Sequence, residues 1–128
     1  DNKLTQAAET PTLVWLHHQP VNMGSRWLDT MAVANPQDFF AVVDRHPQIR
    51  GVIWGHVNQC FDRRRKHARL LATPSTCIQF LPDSDDFAID NSPPGYRWLE
   101  LFSNGDFTTG VERLAEMPGK IDSDASGY

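Results

Sequence analysis

At 128 residues, 40% of them hydrophobic and with four Trp and seven Phe, the sequence has the size and apolar content of one soluble globular domain and too much apolar surface for a disordered segment. A formal net charge of -4 excludes a general nucleic-acid binder, whose affinity rests on neutralising phosphates, but leaves room for a small anionic substrate. Two cysteines, Cys60 and Cys77, exclude a disulfide scaffold or a Cys-x-x-Cys zinc site and read as reduced thiols of the cytoplasm.

No apolar run approaches the roughly 20 residues of a membrane-spanning helix, and no secretory signal precedes the first element, so no membrane partner is expected. Residues 1–11 are polar, end in Pro11, and read as a linker. Thr12 to Leu16 is a short apolar run without alternation, the pattern of a strand covered on both faces. His17-His18-Gln19-Pro20 ends it. Residues 19–35 then read as a long loop containing Arg26, Trp27 and Asp29. Asn35 at an N-cap and Pro36 at the first helical position open a helix expected to run to about Arg45, before Pro47.

Ile49 to Trp54 is a second apolar strand, followed directly by Gly55-His56-Val57-Asn58. Strand, helix, strand is a βαβ-like unit, in which ligands lie where loops leave the carboxyl ends of the strands. His17 and His56 are expected to share that rim. Segments at Cys60–Asp62, Arg69–Thr73, Cys77–Leu81, Phe87–Asp90, Tyr96–Phe102 and Phe107–Arg113 then read as a meander of short antiparallel strands, with Ser103-Asn104-Gly105-Asp106 as a hairpin turn. Arg63-Arg64-Arg65-Lys66-His67 falls between two of these strands and reads as a solvated hairpin tip rather than a phosphate site. Cys77 reads as a packed thiol, not a nucleophile. The tail, residues 115–128, is read as mobile.

Histidines at strand ends can be aimed at a metal ion, although two such positions alone do not define a site. Motif order adds to this. His17-His18-Gln19-Pro20 resembles the His-His-x-Pro block, and Gly55-His56-Val57-Asn58 the Gly-His-x-His block, of calcineurin-like metallophosphoesterases. Trp27-Leu28-Asp29, the run Ala72 to Phe80 containing Pro74-Ser75-Thr76-Cys77-Ile78-Gln79-Phe80, Pro94-Gly95-Tyr96-Arg97 and Ala125-Ser126-Gly127-Tyr128 resemble the bacterial 3',5'-cyclic-AMP phosphodiesterases (class III) within that superfamily. The upstream Asp-x-His, Gly-Asp-x-x-Asp and Gly-Asn-His-Asp blocks of that family have no counterpart ahead of His17 in this sequence.

The resemblance therefore implies the C-terminal half of an α/β, four-layer α-β-β-α metallophosphoesterase sandwich. Residues 12–114 would supply that half domain, and the partner would be the upstream half of the same domain. It also implies hydrolysis of cyclic AMP to 5'-AMP at two divalent or trivalent ions, Fe and Mn, with a metal-bound hydroxide rather than a protein side chain as nucleophile. His17 and His56 would hold one ion. Asn58 stands where the family pattern has a histidine for the other, and a neutral amide oxygen is a poorer donor than imidazole toward first-row transition metals. His18, Arg26, Trp27, Asp29 and Asn35 are candidate substrate-binding residues, with His18 also readable as packing beside a ligand. A competing expectation is a non-catalytic domain that keeps this scaffold and binds a nucleotide or a protein partner.

Overall fold

The computed structural model describes residues 1–119. The fold is α/β. In chain order it contains α1 (Asn2–Gln6), β1 (Thr12–Leu16), α2 (Arg26–Asp29), α3 (Pro36–Arg45), β2 (Ile49–Trp54), β3 (Phe61–Arg65), β4 (Ala68–Ala72), β5 (Gln79–Phe80), β6 (Ile89–Asp90), β7 (Gly95–Leu101) and β8 (Phe107–Arg113). The main sheet has the order β1-β2-β4-β3. Strands β1, β2 and β4 run parallel and only β3 is antiparallel, so the expected all-antiparallel region after β2 is corrected to a mixed sheet. Parallel pairing needs a long crossover, and the 61–65 hairpin arm supplies the one from β2 to β4.

Alternation divides the sheet into two faces. Val14, Leu16, Val52, Trp54, Leu70 and Ala72 join Phe40 and Val43 of α3 in the main core. Leu13, Trp15, Gly51, Ile53, Arg69 and Leu71 occupy the opposite face by register, partly covered by the β7–β8 hairpin. The contact is close at Gly51, where an added Cβ would lie 3.1 Å from both Leu13 Cδ2 and Phe107 Cζ. Arg97 pins the hairpin by donating to the Ala72 carbonyl at 2.9 Å and the Phe61 carbonyl at 3.3 Å.

β2 is the central strand, with Ile49, Val52, Ile53 and Trp54 at most 1% exposed; each such side chain contributes about 1.5–3 kcal/mol by leaving water. β1 is not covered on both faces as expected: it is an edge strand, and Trp15 is 62% exposed. Helix α3 matches its sequence signals, with Pro36 at its start and Arg45 at its end.

Two segments gain structure that the sequence reading missed. Within residues 1–11, α1 packs Leu4 against the core, and Asp1 pairs with Arg45 at 3.0 Å and His46 at 2.6 Å. The loop of residues 19–35 contains α2, too short for periodicity to reveal. Cys60 and Cys77 are free and exposed, which corrects the expectation of a packed Cys77. The turn between β7 and β8 closes as expected, with Gly105 at φ 85° and Phe102 N–H donating to the Asp106 carbonyl at 3.0 Å. Among the described residues no helix is long and apolar enough to cross a membrane. The motif at residues 125–128 and the tail beyond residue 119 lie outside the described residues.

Candidate metal centre

Parallel pairing of β1 with β2 places Leu16 opposite Trp54 at the last rung. The residues that follow, His17-His18 and Gly55-His56, therefore leave the sheet side by side at the carboxyl ends of the strands. The ligand nitrogens of His17, His18 and His56 all lie within 4.8 Å of one another. The ring of His56 is 5.2 Å from that of His17 and 4.2 Å from that of His18. His17 and His18 are exposed, whereas His56 is partly buried.

The turn after β2 sets this geometry. Val57 N–H donates to the Gly55 carbonyl at 2.6 Å across a three-residue turn centred on His56, which sits at φ 61°. Asn58 is also left-handed, at φ 49°, while Val57 between them is fully buried. Left-handed conformations at non-glycine residues cost free energy and cluster at functional sites. Nε2 of His56 is buried without a hydrogen-bond partner. Burial first, and then the neighbouring His18 and His17, hold the His56 pKa below its ordinary value of 6.5. The neutral, lone-pair-bearing form required of a metal ligand is thereby favoured.

Three convergent imidazoles fit a first-row transition metal, and the orphaned Nε2 of His56 is a donor atom of the right kind. Ligation at about 2.0–2.1 Å would bring tetrahedral nitrogen donors to roughly 3.3 Å apart, a modest closure of the present cluster. No carboxylate belongs to the cluster among the described residues.

His17, His56 and Asn58 share a cavity of about 110 Å³ with Trp27, Met31 and Phe80. Trp27 stacks edge-on against Phe80 and Phe87, at 5.1 and 5.3 Å. Met31 and Phe80 were not singled out from sequence; the Gln-Phe end of the Pro-Ser-Thr-Cys-x-Gln-Phe run was the available signal for Phe80.

The remaining candidates, Arg26, Asp29 and Asn35, do not line this cavity. Asp29 accepts from Met23 N–H at 2.7 Å and Gly24 N–H at 3.2 Å, holding the loop. Gln19, fully buried, fixes the other side by donating to the Leu28 carbonyl at 2.7 Å. Arg26 is largely exposed, 3.9 Å from both Asp85 and Asp86. Asn35 caps α3 without a side-chain bond to the helix backbone and reaches Asp38 at 3.5 Å.

Strand-end imidazoles in an α/β sheet can be aimed at a metal ion, and sequence comparison narrows what such a site serves. No family model matches the chain. It is similar to 3',5'-cyclic adenosine monophosphate phosphodiesterase CpdA of Pseudomonas aeruginosa, at 46% identity over 98% of the chain and 46% of the relative. The proteins of the same name from Vibrio vulnificus and Escherichia coli K12 are 44% and 40% identical over 100% of the chain, covering 47% and 46% of their own lengths. The resemblance drawn from the motifs thus holds: the chain is a relative of bacterial cyclic-AMP phosphodiesterases and spans just under half the length of those it matches.

Proposed function

We propose that this chain is the C-terminal half of a metal-dependent phosphodiesterase that hydrolyses 3',5'-cyclic AMP, and that it supplies histidine ligands and part of the substrate pocket. The observation that carries this reading is the convergence of His17, His18 and His56 around the orphaned, neutral-biased His56 nitrogen. Similarity to proteins named as cyclic-AMP phosphodiesterases supports the substrate.

The four-layer sandwich of the resemblance would be completed against the exposed side of β1. Residues 12–114 would form the half domain and the segment around α1 its connection. When bound, Fe or Mn would supply charge to the phosphate oxygens and lower the pKa of water. His17 and His56 would hold one ion, His18 would join them or orient the phosphate, and Asn58 would face the second.

Trp27, Met31 and Phe80 would offer the nucleotide an apolar wall beside the imidazoles, with Asp29 keeping the loop in place. Arg26 and Asn35 would contact the outer part of the substrate. A cavity of about 110 Å³ is smaller than the several hundred Å³ of a typical ligand pocket, so the rest of the wall would come from the other half.

The absence of a carboxylate from the histidine cluster among the described residues favours one competing reading, a scaffold that binds a nucleotide without cleaving it. Cyclic-AMP hydrolysis with added Mn or Fe separates the two. It would be measured on this chain, on Asn58→His, and on a form extended to the length of its relatives. Activity in the extended form supports the enzyme; no activity in any form, with nucleotide binding retained, supports the scaffold.

A further inference from the structure

The arginine run of β3 is not a uniform solvated tip. Strand alternation sends its members to opposite faces. On the α3 face, Arg65 and Lys66 both bond Asp44, at 2.9 and 2.6 Å, and Arg65 lies 4.3 Å over Phe40. On the other face, Arg64 makes no ion pair or hydrogen bond among the described residues.

Arg64 lines a concavity of about 320 Å³ with Arg50, His67, Arg69, Gly105, Asp106 and Phe107. Arg50 is held by Asp106 at 3.0 Å and by the Gly105 carbonyl at 3.2 Å. Arg69 is held by Asp62 and by the Phe107 ring at 5.4 Å. These contacts fix two guanidinium groups in place.

Asp106 compensates Arg50 and Asp62 compensates Arg69, which leaves Arg64 as the uncompensated arginine of the three, in a chain whose net charge is -4. The register also sets Arg64 directly opposite Arg69, a like-charge cross-strand pair that destabilises a sheet. Nε2 of His67 is buried there without a partner. The like-charge pair has a direct remedy, an anion seated between its two guanidinium groups.

We propose that this concavity is a second ligand site, taking a small phosphate-bearing anion in a fork between Arg64 and Arg69 with His67 at its base. Guanidinium groups bind phosphate through paired, charge-assisted hydrogen bonds, and the volume suits a diphosphate group. The site is separate from the histidine rim. Arg50 lies near the amino end of β2, and four residue steps, roughly 13 Å, separate it from Trp54, where the rim begins.

Pyrophosphate titrated calorimetrically into the intact, metal-free protein tests this. Saturable binding is expected, weakened about tenfold or more by Arg64→Ala, as loss of charge-assisted hydrogen bonds requires, and less by Arg64→Lys. His56→Ala is expected to leave it unchanged. Because Arg64 holds no internal partner among the described residues, Arg64→Gln without ligand should melt no lower than wild type, and a given concentration of pyrophosphate should raise its melting temperature less than it raises that of wild type. No saturable binding at millimolar pyrophosphate, wild-type binding in Arg64→Ala, or equal loss in His56→Ala would each overturn the proposal.

Discussion

Replacing His56 by glycine should make the metal-free protein more stable while removing its response to metal. The left-handed backbone at φ 61° costs an L-residue about 1–2 kcal/mol and glycine almost nothing. Burying Nε2 without a partner costs a further amount of about 1–3 kcal/mol. Against these gains stand about 0.5–1 kcal/mol of extra backbone entropy lost by glycine and about 1 kcal/mol for the contacts of a partly buried ring. The balance favours glycine by about 0–3.5 kcal/mol, with a midpoint of about 2 kcal/mol. In wild type, by contrast, a metal present at about 100 times its Kd adds about 2.7 kcal/mol. Urea unfolding with and without Mn or Zn, followed by fluorescence of the fully buried Trp54 and its fellow tryptophans, reads both effects. A metal-free variant less stable than wild type by more than about 1 kcal/mol would show that His56 is a packing residue, and an undiminished metal shift would remove it from the ligand set.

Asn58→His should tighten Mn or Zn binding or change the preferred metal, because an imidazole replaces an amide oxygen beside the same cavity; equal metal titrations would refute this. The depressed pKa of His56 means that the unfolded chain binds more protons than the native one between the folded pKa and 6.5. Stability from this group is therefore present above pH 6.5 and lost as pH falls through the folded pKa, and urea midpoints across that window should fall in wild type but not in His56→Gly. Gly51→Ala should destabilise by about 1–3 kcal/mol, since its Cβ crowds Leu13 and Phe107 together; an unchanged melting temperature would mean that the hairpin shifts freely. The chain by itself should self-associate through the face bearing Trp15 and Leu101, 62% and 64% exposed, and Trp15→Lys should reduce this in light scattering, whereas a monodisperse wild-type monomer would contradict it.

Parts of this fold were legible because local chemistry and long-range packing agree. Pro36 and the apolar spacing of Phe39, Phe40 and Val43 specify α3, and continuous apolar character marks β2, which is buried on both faces. The same character misled at β1, where Trp15 faces solvent: an apolar run records that a surface suits burial, not that a partner is present to bury it. The direction of β4 was hidden for a related reason. Its sequence gives a strand and a hairpin with β3, but parallel pairing with β2 is settled by packing on α3, which leaves no local mark.

The site shows the same division at the level of single residues. His17 and His56 could be found because each directly follows an apolar strand, yet the inclusion of His18 depends on a turn that sequence does not display. Fully buried Val57 lies between His56 and Asn58, which both take left-handed conformations and line the cavity. Asn and His are both among the residues that tolerate this backbone region, so the fold accepts either at position 58. Metal chemistry distinguishes them, because an amide oxygen is a poorer donor than an imidazole nitrogen toward first-row transition metals. On the proposed reading, Asn58 therefore meets the conformational requirement of the turn while offering the weaker donor, and Asn58→His changes the chemistry of the site without asking the backbone to move.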